Sequence, residues 1–401
     1  KNIGCMAKNR VVITGMGIYS PLGKGLVANH TSLYDNRHGI SNISILQTRL
    51  SDILPAGEIK CSNDELRAGT RFTSKFIPRS VLLSTFAIEE ALDQAGLLAH
   101  KNIDLYYATT VGGIDISENL VESRLQRDEV DYAGFQYHDC GASSSLLGDY
   151  YGFTGRRYAI STACSSSANC IGKAAQDILT GKSMYALAGG ADALCRFTLN
   201  GFNSLMILDK DLSNPMDNRR RGLNLGEAAA FLTLESETNA IERGATILGY
   251  VSGYGNTNDS HHQTASSEVG IGAQLAMRAA LEDAGLQPKD ISYINAHGTG
   301  TINNDLSEGN AVQEVFEKVP PIASTKSYTG HTLAASGSVE AIFSVLSLQY
   351  NEVYPSLRFG EAIEGHRFAS FSECYSTEVQ HVLSNALGFG GNCSSLIFSK
   401  A

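Results

Sequence analysis

The sequence lacks the features that mark membrane-spanning and nucleic-acid-binding proteins. No apolar run approaches the roughly 20 residues that span a bilayer. Acidic residues outnumber basic residues by 41 to 31, and the formal net charge of −10 gives no overall attraction to nucleic acid or to an anionic membrane. Charged residues make up only 18% of the chain, whereas 43% is hydrophobic and 40 residues are glycine, which favours a compact α/β enzyme over a disordered protein.

The chain also lacks the cysteine patterns that are typical of disulfide-bonded and zinc-binding proteins. Its eight cysteines are scattered, without Cys-x-x-Cys pairs or a Cys/His cluster. We therefore expect neither a disulfide framework nor a metal site, and the pattern fits the reducing cytoplasm. Residues 1–5 precede Met6, which resembles a natural start, so we expect residues 1–5 to be a leader outside the fold.

Two parts of the chain repeat the same order of elements. Residues 91–97 (ALDQAGL) recur as residues 280–286 (ALEDAGL), and each copy is followed by a strand that leads into glycines. At 401 residues the chain is also long for a single core. The repeat predicts two duplicated α/β halves, 6–243 and 244–401, with an active site where equivalent strand ends meet.

One stretch of the first half places a thiol between a strand and a helix. Apolar residues 158–160 predict a strand, small hydroxyl residues follow, and helical spacing of apolar residues begins at Ile171. In that turn Cys164 faces the positive end of the helix dipole and unpaired N–H groups, which lower a thiol pKa and provide donors for a negative oxygen. This environment suits a nucleophile that forms a thioester, although an isolated cysteine can equally pack as a small hydrophobe.

Three motifs of the second half put reactive or flexible residues at the ends of strands. They are 295–301 (NAHGTGT), 324–331 (STKSYTGH) and 385–391 (NALGFGG). A histidine beside glycine and threonine at a strand end, such as His297, does not lie on the apolar face where core histidines occur. For His297 or His331 taken alone, a functional and a structural role both stay open.

These motifs, in this order, resemble those of the elongating β-ketoacyl-acyl-carrier-protein synthases. The likeness rests on the Cys164 turn, the His297 motif with Asn304, Asp305 and Glu308 behind it, the segment 326–331 and the loop 388–391, and it covers about residues 10–399. The resemblance implies the thiolase-like fold, a five-layered arrangement of two duplicated α/β halves.

The resemblance also implies a role for each motif. Cys164 would take an acyl chain from a carrier-protein pantetheine as a thioester, with its own N–H and that of Phe389 forming the oxyanion hole. His297 and His331 would donate hydrogen bonds to the thioester carbonyl of a malonyl-carrier protein and stabilise the enolate left by decarboxylation. Lys326 and Glu340 would orient His331 and balance the charge of the site. No metal or organic cofactor is expected.

The resemblance assigns further residues to the substrate path. Those that match pantetheine-pocket, gating or acyl-tunnel positions are Thr299, Thr301, His262, Thr264, Phe389 and Val111. The partner implied is an acyl carrier protein, which is acidic and needs a local basic surface. The cations Arg67, Arg71, Lys75 and Arg79, with no acidic residue between them, are the first candidate for that surface. A solvated basic loop is the alternative, and Arg219–Arg221 is a second candidate.

Other members of the fold compete with this interpretation. Thiolases use a second cysteine and initiating synthases replace one histidine by asparagine, whereas this chain has histidine at both 297 and 331. A non-catalytic partner subunit that sets chain length would lack the nucleophile Cys164. Departures from the usual pattern at 218–222, 226–230 and 334–337 leave housekeeping fatty-acid synthesis and specialised polyene or polyketide elongation both open. We expect a homodimer, or a heterodimer with a related subunit.

Overall fold

The computed structural model describes residues 10–368 and 371–401. Residues 1–9, which include the expected leader and the first residues of the predicted first half, lie outside this part. Its strands are β1 (Val11–Ser20), β2 (Gly23–Lys24), β3 (Ser41–Asn42), β4 (Pro55–Ala56), β5 (Asp104–Ala108), β6 (Arg157–Ile160), β7 (Tyr185–Asp192), β8 (Ala228–Ser236), β9 (Gly249–Asn258), β10 (Tyr293–Asn295), β11 (Ile322–Ala323), β12 (Glu352–Val353), β13 (Tyr375–Ser376), β14 (His381–Leu387) and β15 (Asn392–Ser399).

Helices connect and cover these strands. They are α1 (Leu26–Tyr34), α2 (Asn63–Ala68), α3 (Arg79–Gln94), α4 (Ile114–Leu125), α5 (Cys140–Tyr151), α6 (Ser166–Leu179), α7 (Arg196–Ser204), α8 (Glu237–Glu242), α9 (Ile271–Ala284), α10 (Ile302–Val315), α11 (Lys326–Thr329) and α12 (Ser336–Tyr350). Short 3₁₀ turns lie at Tyr132–Tyr137, Pro288–Asp290, Leu333–Ala335 and Phe389–Gly391. No helix of the described residues has the length and apolar character that crossing a bilayer requires.

The main sheet shows the duplication directly. Its strands run in the order β11-β10-β14-β15-β9-β1-β8-β7-β5-β6, with β2 paired to β1. Numbered within its own half, each group of five has the order third, second, fourth, fifth, first, and the parallel and antiparallel pairs also correspond. The two groups join where β1 pairs with β9, antiparallel, with Val11 opposite Val251.

Three buried apolar clusters define five layers. The central cluster holds α6 and α12 between the two halves of the sheet. A second cluster packs α3 and α5 on the outer face of the first half, and a third packs α9 and α10 on the outer face of the second half. The predicted fold of two duplicated halves in five layers is confirmed, while the boundary between residues 243 and 244 stays a prediction.

The central helices approach each other closely where both begin. A Cβ on Gly337 of α12 would lie only 2.6 Å from the backbone nitrogen of Ala168 in α6, so glycine is required for this contact. The N–H of Ser338 donates to Oγ of Ser167 at 2.9 Å across the same contact. Because Cys164 lies just before α6 and His331 just before α12, this crossing brings the two side chains together.

Apolar spacing predicts the elements around the site with small errors. It predicts a helix over 80–95, and the structure has α3 over Arg79–Gln94. The strand predicted over 104–110 ends earlier, at Ala108, because the hydroxyls of Thr109 and Thr110 both turn to the carboxylate of Asp192.

Candidate active site

The turn that holds Cys164 is a strained connection between β6 and α6. Ala163 adopts φ of 54°, the left-handed region that non-glycine residues rarely occupy. Oγ of Ser166 accepts from the N–H of Thr162 at 2.8 Å, which closes the turn. Strain of this kind persists only where surrounding contacts impose it, and here it delivers a thiol that is 6% exposed to the start of a helix.

Two imidazoles from the second half flank the thiol. Nε2 of His331 lies 3.0 Å from Sγ of Cys164. The ring centroids of His297 and His331 are 5.3 Å apart, and the ring planes are at 86°. Sγ of Cys164 and one nitrogen of each imidazole all lie within 4.8 Å of one another. The structure therefore brings together the three residues that the sequence assigned to chemistry.

Hydrogen bonds to Nδ1 fix the tautomer of each imidazole. Nδ1 of His331 accepts from the backbone N–H of Leu333 at 3.1 Å, so the proton of the neutral ring is on Nε2. Nδ1 of His297 lies 3.1 Å from Nζ of Lys326, an ammonium that can only donate. Both rings therefore carry their proton on Nε2, and in His331 this N–H faces Sγ of Cys164.

Both imidazoles are neutral because the pKa of each is held well below its ordinary value. Burial is the largest cause, and the positive charge of Lys326 acts in the same direction on both rings. Proximity of the two histidines lowers the pKa of His297 further. Neutral donors in a buried site stabilise an oxygen that becomes negative without first having to lose a proton.

The structure corrects the expected role of Lys326 and Glu340. Both side chains are almost fully buried and form an ion pair. The amine of Lys326 contacts His297, not His331 as the resemblance implied, because the α11 turn places it beneath the His297 loop. His331 is held instead by the N–H of Leu333 and by the hydroxyl of Ser336, 3.0 Å from Nδ1. Burial raises the pKa of Glu340 to about 7.

The thiol itself differs from expectation. Burial raises the pKa of Cys164 to about 11, although the charge of Lys326 and the N–H of Phe389 act to lower it, whereas the charge of Asp192 acts to raise it. The prediction of a lowered pKa at the helix terminus is wrong because desolvation outweighs the local donors. The resting nucleophile is a neutral thiol, and its proton must leave during acyl transfer.

The loop 388–391 brings a second backbone donor to the sulfur. A Cβ on Gly388 would meet the carbonyl oxygen of Thr162 at 2.8 Å and the nitrogen of Cys164 at 3.3 Å, so only glycine lets this loop pass so close. The N–H groups of Phe389 and Cys164 both reach Sγ of Cys164. Both donors therefore lie close to the sulfur that would carry an acyl group, and their role as an oxyanion hole stays a prediction.

Two cavities meet at Cys164. The first, of about 240 Å³, is lined by His297, His331, Thr299, Thr301, His262 and Thr264. The second, of about 380 Å³, is largely apolar and is lined by Val111, Ile114 and Leu333 among others. Phe389 lines both cavities and stacks on Phe202, with ring centroids 5.7 Å apart at 15°. The predicted pocket, tunnel and gate residues thus all lie where they can contact a substrate bound to Cys164.

Buried polar residues hold the histidine loops in place. Glu308 accepts from the N–H groups of His297 and Gly298, both at 2.8 Å, and receives a further hydrogen bond from Asn385. The sequence motif indicates Glu308 as a residue behind this loop but gives no indication of Asp192 or Ser336. Asp192 directly follows the buried run 185–191 and could have been noticed as an acid at a strand end.

Cys164, His297 and His331 are side chains of types that can bind a metal ion. Within residues 10–368 and 371–401, they form the one cluster in which three such side chains lie close enough to share an ion. A metal ion requires a free lone pair on each imidazole nitrogen that faces it. Here the Nδ1 atoms are occupied by Leu333 and Lys326, and the Nε2 atoms carry protons. The arrangement is suited to donate hydrogen bonds.

The first candidate for a docking surface is partly structural. Arg79 is 6% exposed and forms a bidentate ion pair with Glu227, so its assignment to docking is wrong. Arg67 is half-buried and bonded to Asp64 and to the carbonyl of Ser74. These two cations serve the fold, because a buried guanidinium is stable only when its donors are satisfied.

Exposed cations remain in both candidate surfaces. Arg71 stacks on Tyr150, with Cζ 4.2 Å from the ring centroid, and Lys75 is exposed beside Phe76. In the second candidate, Arg220 is buried against the carbonyls of Thr301 and Ile302. Arg219 pairs with Asp217, and Arg221 pairs with Asp209 and Asp211 while lining the first cavity.

The fold and the thiol–imidazole set define a condensing enzyme of the thiolase-like class. Family models for the β-ketoacyl synthase N-terminal domain and C-terminal domain match residues 8–240 and 248–360. The chain belongs to the β-ketoacyl synthase family.

Relatives match it over nearly its whole length. The 3-oxoacyl-[acyl-carrier-protein] synthase 2 of Staphylococcus aureus (strain COL) is 31% identical and that of Vibrio cholerae is 32% identical, each over 98% of this chain and at least 99% of the relative. The solved structure of the ishigamide ketosynthase/chain length factor has a TM-score of 0.93 at 28% identity, covering 98% and 100% of the two chains. A ketosynthase in complex with its chain length factor from Xenorhabdus doucetiae has a TM-score of 0.85 at 28% identity and 98% coverage of each chain.

Proposed function

We propose that the protein is a β-ketoacyl-acyl-carrier-protein synthase that elongates a cysteine-bound acyl chain by decarboxylative condensation with a malonyl-carrier protein. One observation carries the proposal: two neutral imidazoles that keep their protons on Nε2 lie beside a thiol that has its own backbone donors. The relatives at 31% and 32% identity support the same reaction class.

Acyl transfer is the first step. Sγ of Cys164 attacks the thioester carbon of the acyl-carrier protein, and the N–H groups of Cys164 and Phe389 stabilise the negative oxygen. The new S–C bond forms as the pantetheine sulfur leaves, and the proton of the thiol goes to that leaving sulfur. Because His331 already carries a proton on Nε2, it serves in this step as a donor and not as the base.

Condensation follows in the first cavity. The carboxylate of the malonyl group leaves as CO2, and its electron pair becomes the enolate of the carrier-protein thioester. Nε2–H of His297 and of His331 donate to the enolate oxygen, while Lys326 holds His297 from the other side. The enolate carbon attacks the acyl carbon, a C–C bond forms, and the S–C bond to Cys164 breaks. Sγ leaves as a thiolate and takes up one proton from solvent, which restores the neutral thiol. The chain's own donors meet each developing charge, so we propose that no metal or organic cofactor takes part.

The second cavity is the place for the acyl chain. Its apolar lining begins at Cys164 and passes Val111, which is 5% exposed. Phe389 lines both cavities, so movement of this ring would open or close the passage between the acyl chain and the malonyl group. The two residues that follow Phe389, Gly390 and Gly391, both have positive φ, a conformation that glycine adopts without steric cost.

The carrier protein is proposed to dock at the mouth of the first cavity. Exposed Met206 and Ile302, 88% and 64% accessible, form an apolar rim beside Arg221. An acidic carrier protein would meet Arg221 at this rim and the exposed Arg71 and Lys75 farther away.

All seven cysteines of the described residues are free, which fits a location in the reducing cytoplasm.

A related subunit is proposed to cover the exposed side of the second cavity, which holds the acyl chain. Phe197 and Leu205 line the second cavity and are 67% and 45% exposed, so this face of the single chain is open. The related structure of a ketosynthase with its chain length factor favours a heterodimer, with a homodimer as the other outcome. A specialised elongation pathway is proposed on the same ground.

The test uses purified carrier proteins and mass spectrometry. Wild-type protein should acquire one acyl group on Cys164 from acyl-carrier protein and should release CO2 and form β-ketoacyl product from malonyl-carrier protein. Cys164→Ala should lose acylation and condensation and keep decarboxylation, whereas the control Cys374→Ala should behave as the wild type. Acylation of another cysteine, or the absence of decarboxylation in the wild type, would overturn the proposal.

A further inference from the structure

Asp192 is a fully buried carboxylate at the end of β7 that takes no part in the steps above. Oδ1 accepts from Oγ1 of Thr109 at 2.5 Å and from the N–H groups of Thr110 and Val111 at 3.0 and 3.2 Å. Oδ2 accepts from Oγ1 of Thr110 at 2.6 Å. These contacts hold the segment that forms one wall of the acyl cavity, since Thr110 and Val111 both line it.

The same carboxylate reaches into the second half of the chain. Oδ2 also accepts from the N–H of Ala334 at 2.9 Å, in the 3₁₀ turn that follows His331. The neighbouring Leu333 has a left-handed φ of 54° and donates its N–H to Nδ1 of His331. A strained residue keeps such a conformation only when its surroundings impose it, and the bond to Asp192 is the adjacent constraint.

We propose that Asp192 is a positioning residue that ties the wall of the acyl cavity to the turn that keeps His331 as its Nε2–H tautomer. The proposal rests on the proposed function and adds to it a physical link between the site that holds the acyl chain and the site that forms the enolate. Through this link, a shift of the cavity wall at Val111 displaces the side chain of Asp192 and, with it, the turn that holds His331.

The hydrogen bonds of Asp192 have the strength that this role requires. No cation pairs with this carboxylate among the ion pairs of the described residues, so the hydrogen-bond donors alone compensate its burial. Four of the donors belong to the first half and one to the second half. Hydrogen bonds to a charged acceptor are roughly twice as strong as neutral ones, so the link is stiff.

Asp192 also acts on the thiol through its charge. The charged and titratable groups around Cys164 are His297, His331, Lys326 and Asp192. The two imidazoles are neutral, Lys326 lowers the pKa of the thiol and Asp192 raises it. Removal of the negative charge should therefore move the pH profile of thiol alkylation to lower pH.

The test is Asp192→Asn, which keeps the shape of the side chain but places an NH2 group against N–H and O–H donors. Decarboxylation of malonyl-carrier protein should fall by roughly 10- to 100-fold, because the His331 donor is misplaced. Acylation of Cys164 should fall less, since its donors are backbone groups of other segments. The alkylation profile of Cys164 with iodoacetamide should move to lower pH, and Asp192→Glu should recover part of the decarboxylation.

A matched control separates positioning from loss of folded protein. Glu235→Gln removes an equally buried carboxylate, bonded to Thr14 and Arg243, outside both cavities. It should leave the ratio of decarboxylation to acylation and the alkylation profile unchanged per folded molecule. The same unchanged ratio and profile in Asp192→Asn would overturn the proposal.

A second variant tests the same link if Asp192→Asn is unstable. If Asp192→Asn does not fold, Thr110→Val removes one hydroxyl donor to Oδ2 in a side chain of similar shape. It should lower the ratio in the same direction, and an unchanged ratio would overturn the proposal. Failure of the proposed function is distinct, because the wild type itself would then neither decarboxylate malonyl-carrier protein nor acquire an acyl group.

Discussion

Replacing Lys326 by methionine should separate what the buried ion pair does for stability from what it does for His297. Lys326 and Glu340 have side chains only 3% and 2% exposed, and Oε2 of Glu340 finds no hydrogen-bond partner among the described residues. The positive charge of Lys326 is the main group that compensates the buried carboxylate of Glu340. Removing it leaves that carboxylate without a charged partner. Breaking such a pair costs about 3–5 kcal/mol of unfolding free energy.

The same change removes the donor that fixes His297. Without the amine at Nδ1, the proton of the ring is free to occupy either nitrogen, and Nε2–H is no longer assured. Loss of one donor to a developing oxyanion typically costs about 100- to 1,000-fold in rate. We expect decarboxylation of malonyl-carrier protein by Lys326→Met to fall within this range.

The double variant Lys326→Met/Glu340→Leu distinguishes the two effects. An apolar pair of similar volume replaces a buried ion pair at little cost, so urea unfolding should recover most of the lost stability. Decarboxylation should stay as low as in the single variant. A double variant that decarboxylates like the wild type would refute the assignment of Lys326 to His297. Arg37→Met, which removes an exposed ion pair to Asp35, is the control and should cost less than about 1 kcal/mol.

Stability of the single variant should also depend on pH. Burial already raises the pKa of Glu340 to about 7, and loss of Lys326 raises it further. A glutamate of the unfolded chain titrates at about 4.3. The folded variant therefore binds more protons than the unfolded chain, and its stability falls as pH rises. The difference in unfolding free energy between the variant and the wild type should widen from pH 6 to pH 8 in urea titrations. A constant difference would show that loss of Lys326 does not raise the pKa of Glu340 further.

Three further predictions concern the cavities and the docking surface. Val111→Phe should shorten the longest acyl chain accepted, as each excluded methylene forfeits about 0.8 kcal/mol of burial, and product masses would show this. Gly388→Ala should slow acylation of Cys164 more than it slows decarboxylation, because its Cβ would lie 2.8 Å from the carbonyl of Thr162 and displace the Phe389 donor; stopped-flow acylation tests it. Charge reversal at Arg71 and Lys75 should raise KM for acyl-carrier protein and flatten its salt dependence, with turnover of a small acyl-pantetheine unchanged.

The sequence predicted which residues meet but not how they contact each other. Strand ends of duplicated halves converge, so Cys164, His297 and His331 were expected at one place and lie there. Lys326 is only five positions from His331 in the chain, which suggested the wrong partner. The α11 turn decides instead, because it directs the amine to His297.

Long-range packing explains the other differences. The helix dipole is a local property that the sequence shows, whereas the burial that raises the pKa of Cys164 depends on all five layers. Arg79 looked like a surface cation because its partner, Glu227, is 148 positions away. The positions of such distant charges cannot be read from neighbouring residues.

The contact at Gly337 has a consequence for folding, because it joins the helices that follow Cys164 and His331. The nucleophile and the imidazole beside it are 167 positions apart, so their contact requires that α6 and α12 are docked. Contacts between distant positions form slowly because a long loop must close first. We therefore expect secondary structure to return within each half before condensation activity does. During refolding, the recovery of condensation, which needs Cys164 from the first half and both histidines from the second, should therefore report the docking of the two halves and not the folding of either one.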